Sequence, residues 1–180
     1  MRRFSRLFSE LDATTSTNQK VEALTRYFDE APPRDAAWAV YFLAGGKPRQ
    51  VVKTASLVGL ACHMARIEYW LFDECYQSVG DLAETIALVL PRGDTVSDVG
   101  LAEWVEDRLL PLRGLPDDEV ARRVASYWWE LDTLGRFLLT KLVGGGFRVG
   151  VSKLLVQRAP AAHPGGGAQG VAQAKMGYTD

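Results

Sequence analysis

Residues 4–42 read FSRLFSELDATTSTNQKVEALTRYFDEAPPRDAAWAVYF, and this stretch is enough to indicate the class of fold. Its large apolar residues recur three or four positions apart, which is the spacing of one face of a helix. They form three groups: Phe4, Leu7, Phe8 and Leu11; Val21, Leu24 and Phe28; and Trp38, Tyr41 and Phe42. Capping residues at 14–18, the Pro32–Pro33 pair and Gly45–Gly46 separate or end these groups. The stretch therefore predicts three consecutive helices.

The rest of the chain continues in the same way. Further helices are predicted at about 54–66, 68–79, 82–90, 100–110, 117–131, 133–143 and 151–159. Breakers separate most of them, and the alternation of apolar and polar residues typical of strands is nearly absent. We therefore predict a single all-α domain over residues 1–158, with about nine to ten short helices joined by tight Gly/Pro turns. Residues 159–180 are rich in Gly, Pro and Ala and are predicted to be a flexible linker or tail.

Composition is that of an ordinary globular protein. The chain has 180 residues, of which 47% are hydrophobic and 24% charged, so a folded core is expected. The five tryptophans are expected to fill that core. Cys62 and Cys75 are too few for a disulfide scaffold or a structural zinc site, so no metal is expected.

Charge is distributed unevenly along the chain. Residues 1–132 hold 21 acidic and 15 basic side chains, whereas residues 133–179 hold six basic side chains and no acidic one. Such an asymmetry suggests a polyanionic partner for the C-terminal part. Packing of that part against the acidic remainder explains the asymmetry equally well, and both interpretations stay open.

Signals for membrane insertion or catalysis are absent from the sequence. The N-terminus does not have the pattern of a signal peptide, and the apolar stretch 54–65 is too short to span a bilayer, so a cytoplasmic protein without membrane contact is expected. No phosphate-binding loop with lysine, no dinucleotide-binding glycine motif and no zinc-protease motif occurs. His63 lies in an apolar helical stretch, where a packed or hydrogen-bonded side chain is expected, and His163 lies in the tail. No catalytic residue is predicted.

Two glycine-containing turns are more informative. The first is VGDLAET at 79–85, where Gly80 permits a sharp turn and Asp81 can cap the following helix. The second is GGGFRVGVSK at 144–153, where Arg148 adds a positive charge and a helix is expected to begin near Gly150. A helix N-terminus after glycine offers free N–H donors and a positive dipole end, which together suit a phosphate group. Each turn also has a purely conformational interpretation, because glycine is common between helices.

Four segments together resemble a known family. They are FSRLFSELDATTSTN at 4–18, residues 70–91 around GDLAET, WVEDRLLPLRG at 104–114 and FLLTKLVGGGFRVGVSKLLV at 137–156. The chain resembles the N-terminal DNA-binding domain of bacterial ATP-dependent DNA ligases over about residues 1–158.

This resemblance implies an all-helical domain that straddles the minor groove around a nick. Such domains hold backbone phosphates through glycine-containing turns and read few bases. Carried over by position, the expected DNA-binding residues are Gly80, Asp81, Leu82, Lys141, Gly146, Arg148, Gly150 and Lys153. The implied partners are nicked double-stranded DNA and the nucleotidyltransferase and OB-fold domains of a ligase. A monomer associated with the bacterial nucleoid, acting in DNA repair, replication or recombination, is expected.

The sequence departs from the whole ligase in its catalytic motif. None of the six lysines is followed by x-D-G, so the adenylation signature K-x-D-G is missing and the chain is not expected to ligate DNA by itself. ATP and Mg²⁺ are implied only for the full-length ligase, and no cofactor is expected here. Pro160 and Gly165–Gly167 also interrupt a segment that is continuous helix in the family.

Two other functions remain open. The acidic excess of residues 1–132 favours a helical protein-interaction or adaptor domain with weak or no DNA binding. A helix-turn-helix regulator is less favoured, because no short helix presents a row of Arg, Asn or Gln suited to the major groove.

Overall fold

The computed structural model describes residues 1–46 and 50–144. All regular structure in these two ranges is helical, which confirms the predicted all-α class. The predicted helix at 151–159, the second glycine turn beyond Gly144 and the tail at 159–180 lie outside the described residues. The α-helices within residues 1–46 and 50–144 are α1 (Arg2–Asp12), α2 (Thr17–Glu30), α3 (Pro33–Leu43), α4 (Thr54–Ala65), α5 (Tyr69–Val79), α6 (Leu82–Val89), α7 (Leu101–Glu103), α8 (Asp117–Trp129) and α9 (Thr133–Gly144).

The helix boundaries follow the local capping signals. The Ser16 side chain accepts a hydrogen bond from the N–H of Gln19 at 3.4 Å, so the polar cluster before α2 does act as its cap. Pro33 occupies the first position of α3, where its missing N–H costs nothing. Capping and proline rules therefore account for the starts of α2 and α3, which were predicted from sequence.

The segment predicted as one helix at 100–110 has a different form. After the three residues of α7 the chain widens into a π-helical turn, Trp104–Leu109, and then tightens into a 3₁₀ turn, Leu110–Leu112. Trp104, Val105 and Leu109 all have buried side chains, with 3% exposure or less. A π-helical turn holds more residues than an α-helical turn, so side chains five positions apart lie on the same face. Burial of Trp104 and Leu109 together therefore favours the wider turn over a regular helix.

Within the domain the described residues form two compact units. The first unit comes from residues 1–46 and 98–107, and the second from 50–97 and 108–144. In the first unit, α1 packs against α2 and α3 packs against α7. Its core is built from large apolar side chains that are almost fully buried, namely Phe4, Leu7, Leu24, Phe28, Trp38, Phe42 and Leu101.

The second unit is organised around α6. This helix packs against α9, α5 and α4, and α4 also packs against α8. The buried residues at its centre are Leu57, Phe72, Ile86, Trp128, Leu138 and Leu142. Because α6 is surrounded by other helices, the turn that precedes it is held at a fixed place in this unit.

A buried arginine belongs to the same core. Arg136 of α9 is 1% exposed, and its guanidinium donates hydrogen bonds to the carbonyl oxygens of Trp128 at 2.7 Å and Pro91 at 2.6 Å. Burial lowers the pKa of Arg136, and the neighbouring Asp132 carboxylate opposes part of this shift. The side chain thus ties the segment after α6 to the end of α8.

Two expectations about large or titratable side chains were wrong. Trp38, Trp104 and Trp128 are buried, as predicted, but Trp70 and Trp129 are 65% and 52% exposed. His63 is also exposed and not packed in the core. The helices that carry these residues are covered on one side only, and the apolar content of the sequence does not specify which side.

Candidate nucleic-acid interface

The first glycine turn lies between α5 and α6. Gly80 follows α5 with a φ of +83°, and its N–H donates to the carbonyl oxygen of Tyr76 at 2.8 Å. This left-handed conformation is strained for any residue with a Cβ, which explains the glycine. A side chain added at Gly80 would meet no atom within 4 Å. The outer side of the turn is therefore open to a ligand.

Asp81 caps α6, as the sequence predicted. Its Oδ1 accepts the N–H of Glu84 at 2.8 Å, and its backbone oxygen accepts the N–H of Thr85 at 3.0 Å and the Thr85 hydroxyl at 2.6 Å. These bonds fix the direction of the first turn of α6. They also mean that N–H donors at this helix end, those of Glu84 and Ala83, already have the Asp81 carboxylate as a partner.

Lys141 lies beside this turn. Its ammonium nitrogen, Nζ, is 2.5 Å from Oδ2 of Asp81 and 5.5 Å from the centre of the Phe137 ring. In the sequence Lys141 lies three residues before the second glycine turn, whereas packing of α6 on α9 brings it to the first. Lys141 therefore helps to hold the turn and neutralises the charge of Asp81.

The charge state of Asp81 follows from these contacts. Partial burial by itself would raise the pKa of this carboxyl group, but the hydrogen bonds from Lys141 and from the Glu84 N–H outweigh it. The resulting pKa lies below the ordinary value, so the carboxylate is ionised at neutral pH and paired with a cation. A phosphate that approached the turn would meet a neutral pair instead of an unpaired negative charge.

The structure brings together four of the eight predicted DNA-binding residues. Gly80, Asp81 and Leu82 form the turn and the start of α6, and Lys141 reaches it from α9. Leu82 is partly buried, and the next residue, Ala83, is among the buried residues of α6. The other four, Gly146, Arg148, Gly150 and Lys153, lie outside the described residues.

A second turn with the same backbone geometry precedes α8. Gly114 has a φ of +79°, and an added side chain would again meet no atom within 4 Å. The helix after this turn begins with three acidic residues, Asp117, Asp118 and Glu119. Acidic side chains stabilise a helix N-terminus but repel a phosphate from it. Both helix starts carry acidic side chains, however. At α6 the capping Asp81 is paired with Lys141 and Glu84 is exposed, whereas at α8 Glu119 is paired with Arg122 and Arg123 of its own helix.

Neither a membrane-spanning helix nor a metal site occurs among the described residues. No helix in these ranges is long and apolar enough to cross a membrane. No group of three or more His, Cys, Asp or Glu side chains in the same ranges is arranged to hold a metal ion.

Comparison with known families gives these features a context. Residues 1–161 match the family described as DNA ligase N terminus. The chain belongs to this family, the N-terminal domain of ATP-dependent DNA ligases, which confirms the resemblance to ATP-dependent DNA ligases inferred from the four sequence segments. A search of curated proteins finds no match. Membership of the family indicates a role in ATP-dependent DNA ligation.

Proposed function

We propose that the chain is a DNA-binding module of an ATP-dependent DNA ligase that holds nicked duplex without reading its sequence. The proposal rests on membership of the ligase N-terminal family together with the open turn at Gly80, whose capping carboxylate is paired with Lys141. The duplex is held from its minor-groove side, and phosphates are the main contacts. Lys141 and the residues beyond Gly144 that the sequence singled out, Gly146, Arg148, Gly150 and Lys153, contribute to the same function.

The physical basis is the start of α6. Backbone N–H groups and the positive dipole end of a helix favour an anion, and Gly80 allows close approach because it has no side chain. Such contacts fix the position of the protein on the duplex but carry no information about sequence. The pairing of Asp81 with Lys141 removes the repulsion that an unpaired carboxylate would exert on a phosphate.

The contribution of such a module to ligation is positioning. Holding both ends of a nick in one arrangement turns an encounter between free ends into a reaction between fixed groups. In this proposal adenylation with ATP and Mg²⁺ belongs to the nucleotidyltransferase and OB-fold domains of the ligase. The module works as a monomer on DNA in the cytoplasm, during repair, replication or recombination.

Fluorescence anisotropy with three labelled DNAs tests the proposal. We expect binding to nicked and intact duplexes to be indifferent to sequence and weaker for a single strand. The logarithm of the affinity should fall with the logarithm of the salt concentration with a slope of about −3 to −6, which corresponds to several phosphate contacts. Absence of duplex binding at low salt, or strong dependence on sequence, would contradict the proposal.

An adaptor function has one observation in its favour. Tyr69 and Trp70, in the first turn of α5, are 67% and 65% exposed, and exposed aromatic side chains are common in protein interfaces. Duplex binding by the unsubstituted protein distinguishes the two functions, and Trp70→Ala tests whether the exposed tryptophan takes part in that binding. If DNA is the main partner, this variant binds duplex as tightly as the unsubstituted protein. An adaptor without DNA-binding activity would give no duplex binding in either form.

A further inference from the structure

A groove between α1 and α2 in the first unit is lined by arginines. Arg2, Arg3 and Arg6 come from α1, and Arg26 comes from α2. The groove has a volume of about 210 Å³, which is many times what one water molecule needs, so it can admit a phosphate group. The groove lies outside the turn described above and contains none of the residues that the sequence singled out for DNA binding.

The arginines that line the groove outnumber the carboxylates that line it. A single oxygen of Glu10, Oε1, accepts hydrogen bonds from Nε of Arg6 at 3.0 Å and Nη1 of Arg26 at 2.8 Å. Two guanidinium groups therefore share one carboxylate. Glu30 is the other acidic residue that lines the groove.

The two remaining arginines are less constrained. Arg2 forms an ion pair with Asp98 at 3.1 Å, but the two side chains are 60% and 77% exposed, and such pairs are weak. Arg3 is exposed and forms no ion pair with any residue that the structure describes. The charge of Arg3 acts on the buried Tyr27. Burial and Asp35 raise the pKa of Tyr27, and Arg3 opposes this shift.

The position of these cations is unfavourable for the helix that carries them. Arg2 and Arg3 lie in the first turn of α1, which has no acidic residue, and the N-terminal end of a helix is positive. Arg2 and Arg6 are also like charges one helical turn apart. A bound anion would relieve both effects, whereas within α1 only Arg6 of the three arginines has an acidic partner, Glu10.

We propose that this arginine groove binds a backbone phosphate of duplex DNA, as a contact separate from the turn at Gly80. Guanidinium groups suit this role because they remain charged and donate two parallel hydrogen bonds to a phosphate. The inference rests on the proposed function, since the phosphate is that of the DNA held for ligation.

Substitution of Arg3 tests the groove. We compare Arg3→Gln with Arg3→Lys, and use Arg122→Gln as the matched control. Arg122 lies on α8, is 72% exposed and pairs with Glu119 of its own helix, so this variant loses the same charge away from the groove. Binding of a labelled nicked duplex is followed by anisotropy across a salt series.

We expect Arg3→Gln to bind roughly fivefold more weakly at low salt and to reduce the magnitude of the salt slope by about one, as loss of one phosphate contact does. Arg3→Lys should recover most of the slope, and Arg122→Gln should behave like the unsubstituted protein. Thermal melting of Arg3→Gln should occur at or above the original temperature, because a cation has left the positive end of α1. If Arg3→Gln fails to fold, Arg6→Gln takes its place.

Three other results would contradict the role of the groove, and they differ in what they imply for the proposed function. If Arg3→Gln keeps the original affinity and slope, the groove does not bind phosphate, and the proposed function stands. If Arg122→Gln loses as much as Arg3→Gln, the effect is one of general charge and the groove is again excluded. If the unsubstituted protein does not bind duplex, the proposed function fails, and the groove's role fails with it.

Discussion

Gly80 and Gly114 adopt the same left-handed backbone conformation, with φ of +83° and +79°, and a side chain at either position would point into open space. The helices after them differ in how their acidic residues are paired. Gly80 precedes a helix whose capping carboxylate is paired with Lys141, whereas Gly114 precedes three acidic residues at the start of α8. Substitutions at the two glycines can therefore separate the effect of backbone strain on stability from the effect of a side chain on phosphate binding.

Leucine at each position makes this comparison. Both Gly80→Leu and Gly114→Leu should lose about 1–2 kcal/mol of stability, because both force a side chain into left-handed backbone. Only Gly80→Leu should also weaken duplex binding, by about tenfold or 1.4 kcal/mol. Urea denaturation and anisotropy measure the two quantities. Equal binding by both variants would show that no phosphate approaches the Gly80 turn.

Two substitutions at Asp81 separate the cap from the ion pair. Asp81→Asn keeps a good N-cap but loses the charge that pairs with Lys141, so we expect a loss below about 1 kcal/mol. Asp81→Ala loses both and should cost about 1–2 kcal/mol. Urea denaturation at neutral pH gives both values. If the two variants were equally stable, the bond to the Glu84 N–H would not contribute.

The pH dependence of stability should report on the same carboxyl group. Its pKa in the folded protein lies below the ordinary value, which is about 3.9 in an unfolded chain. Its contribution is therefore fully present above about pH 4 and is lost as the pH falls through the lower, folded-state pKa. The melting temperature of Asp81→Asn should fall less steeply with acid than that of the unsubstituted protein. Parallel curves from about pH 6 to 3 would contradict this.

Arg136 should be among the most sensitive positions of the second unit. Arg136→Met leaves the Pro91 and Trp128 carbonyl oxygens without their charged donor, and we expect a loss of about 3 kcal/mol or more. Arg136→Lys should recover little, because one ammonium does not reproduce the two-pronged geometry. Arg122→Met, at an exposed position, should stay within about 0.5 kcal/mol. A similar loss in all three variants would mean that burial of Arg136 is not decisive.

Alanine at two further glycines should act in opposite directions. Gly59 lies inside α4 with open space around it, so Gly59→Ala should stabilise the protein by about 0.5–1 kcal/mol. A Cβ at Gly93 would lie 2.4 Å from Nη2 of the buried Arg136, much closer than van der Waals contact allows, so Gly93→Ala should destabilise the protein. Thermal melting of the two variants gives the signs, and a stabilised Gly93→Ala would show that Arg136 can move aside.

Local features of the fold could be predicted from sequence because their causes are local. Ser16 and Asp81 cap the helices after them, and Pro33 begins α3, all within a few residues of the signal that predicted them. The wider turn at Trp104 was missed because it depends on which side chains are buried and not on a local breaker.

Contacts over long distances in the chain were not predictable in this way. Asp81 and Lys141 are 60 positions apart, and only the packing of α6 on α9 makes them neighbours. Arg136 was counted as one of several positive charges, since an arginine in a sequence gives no sign of burial. Four of the eight predicted DNA-binding residues lie in the described ranges. Two of these, Asp81 and Lys141, form an ion pair that the sequence did not predict.

The interleaving of the two units along the chain has a consequence for synthesis on the ribosome. Translation completes the described part of the first unit at residue 107, but that of the second only at residue 144. Helix α6 and its Gly80 turn leave the ribosome long before α9 does. A nascent chain halted before Lys141 would therefore expose an Asp81 carboxylate without its counter-charge, and the ion pair would form only when α9 docks.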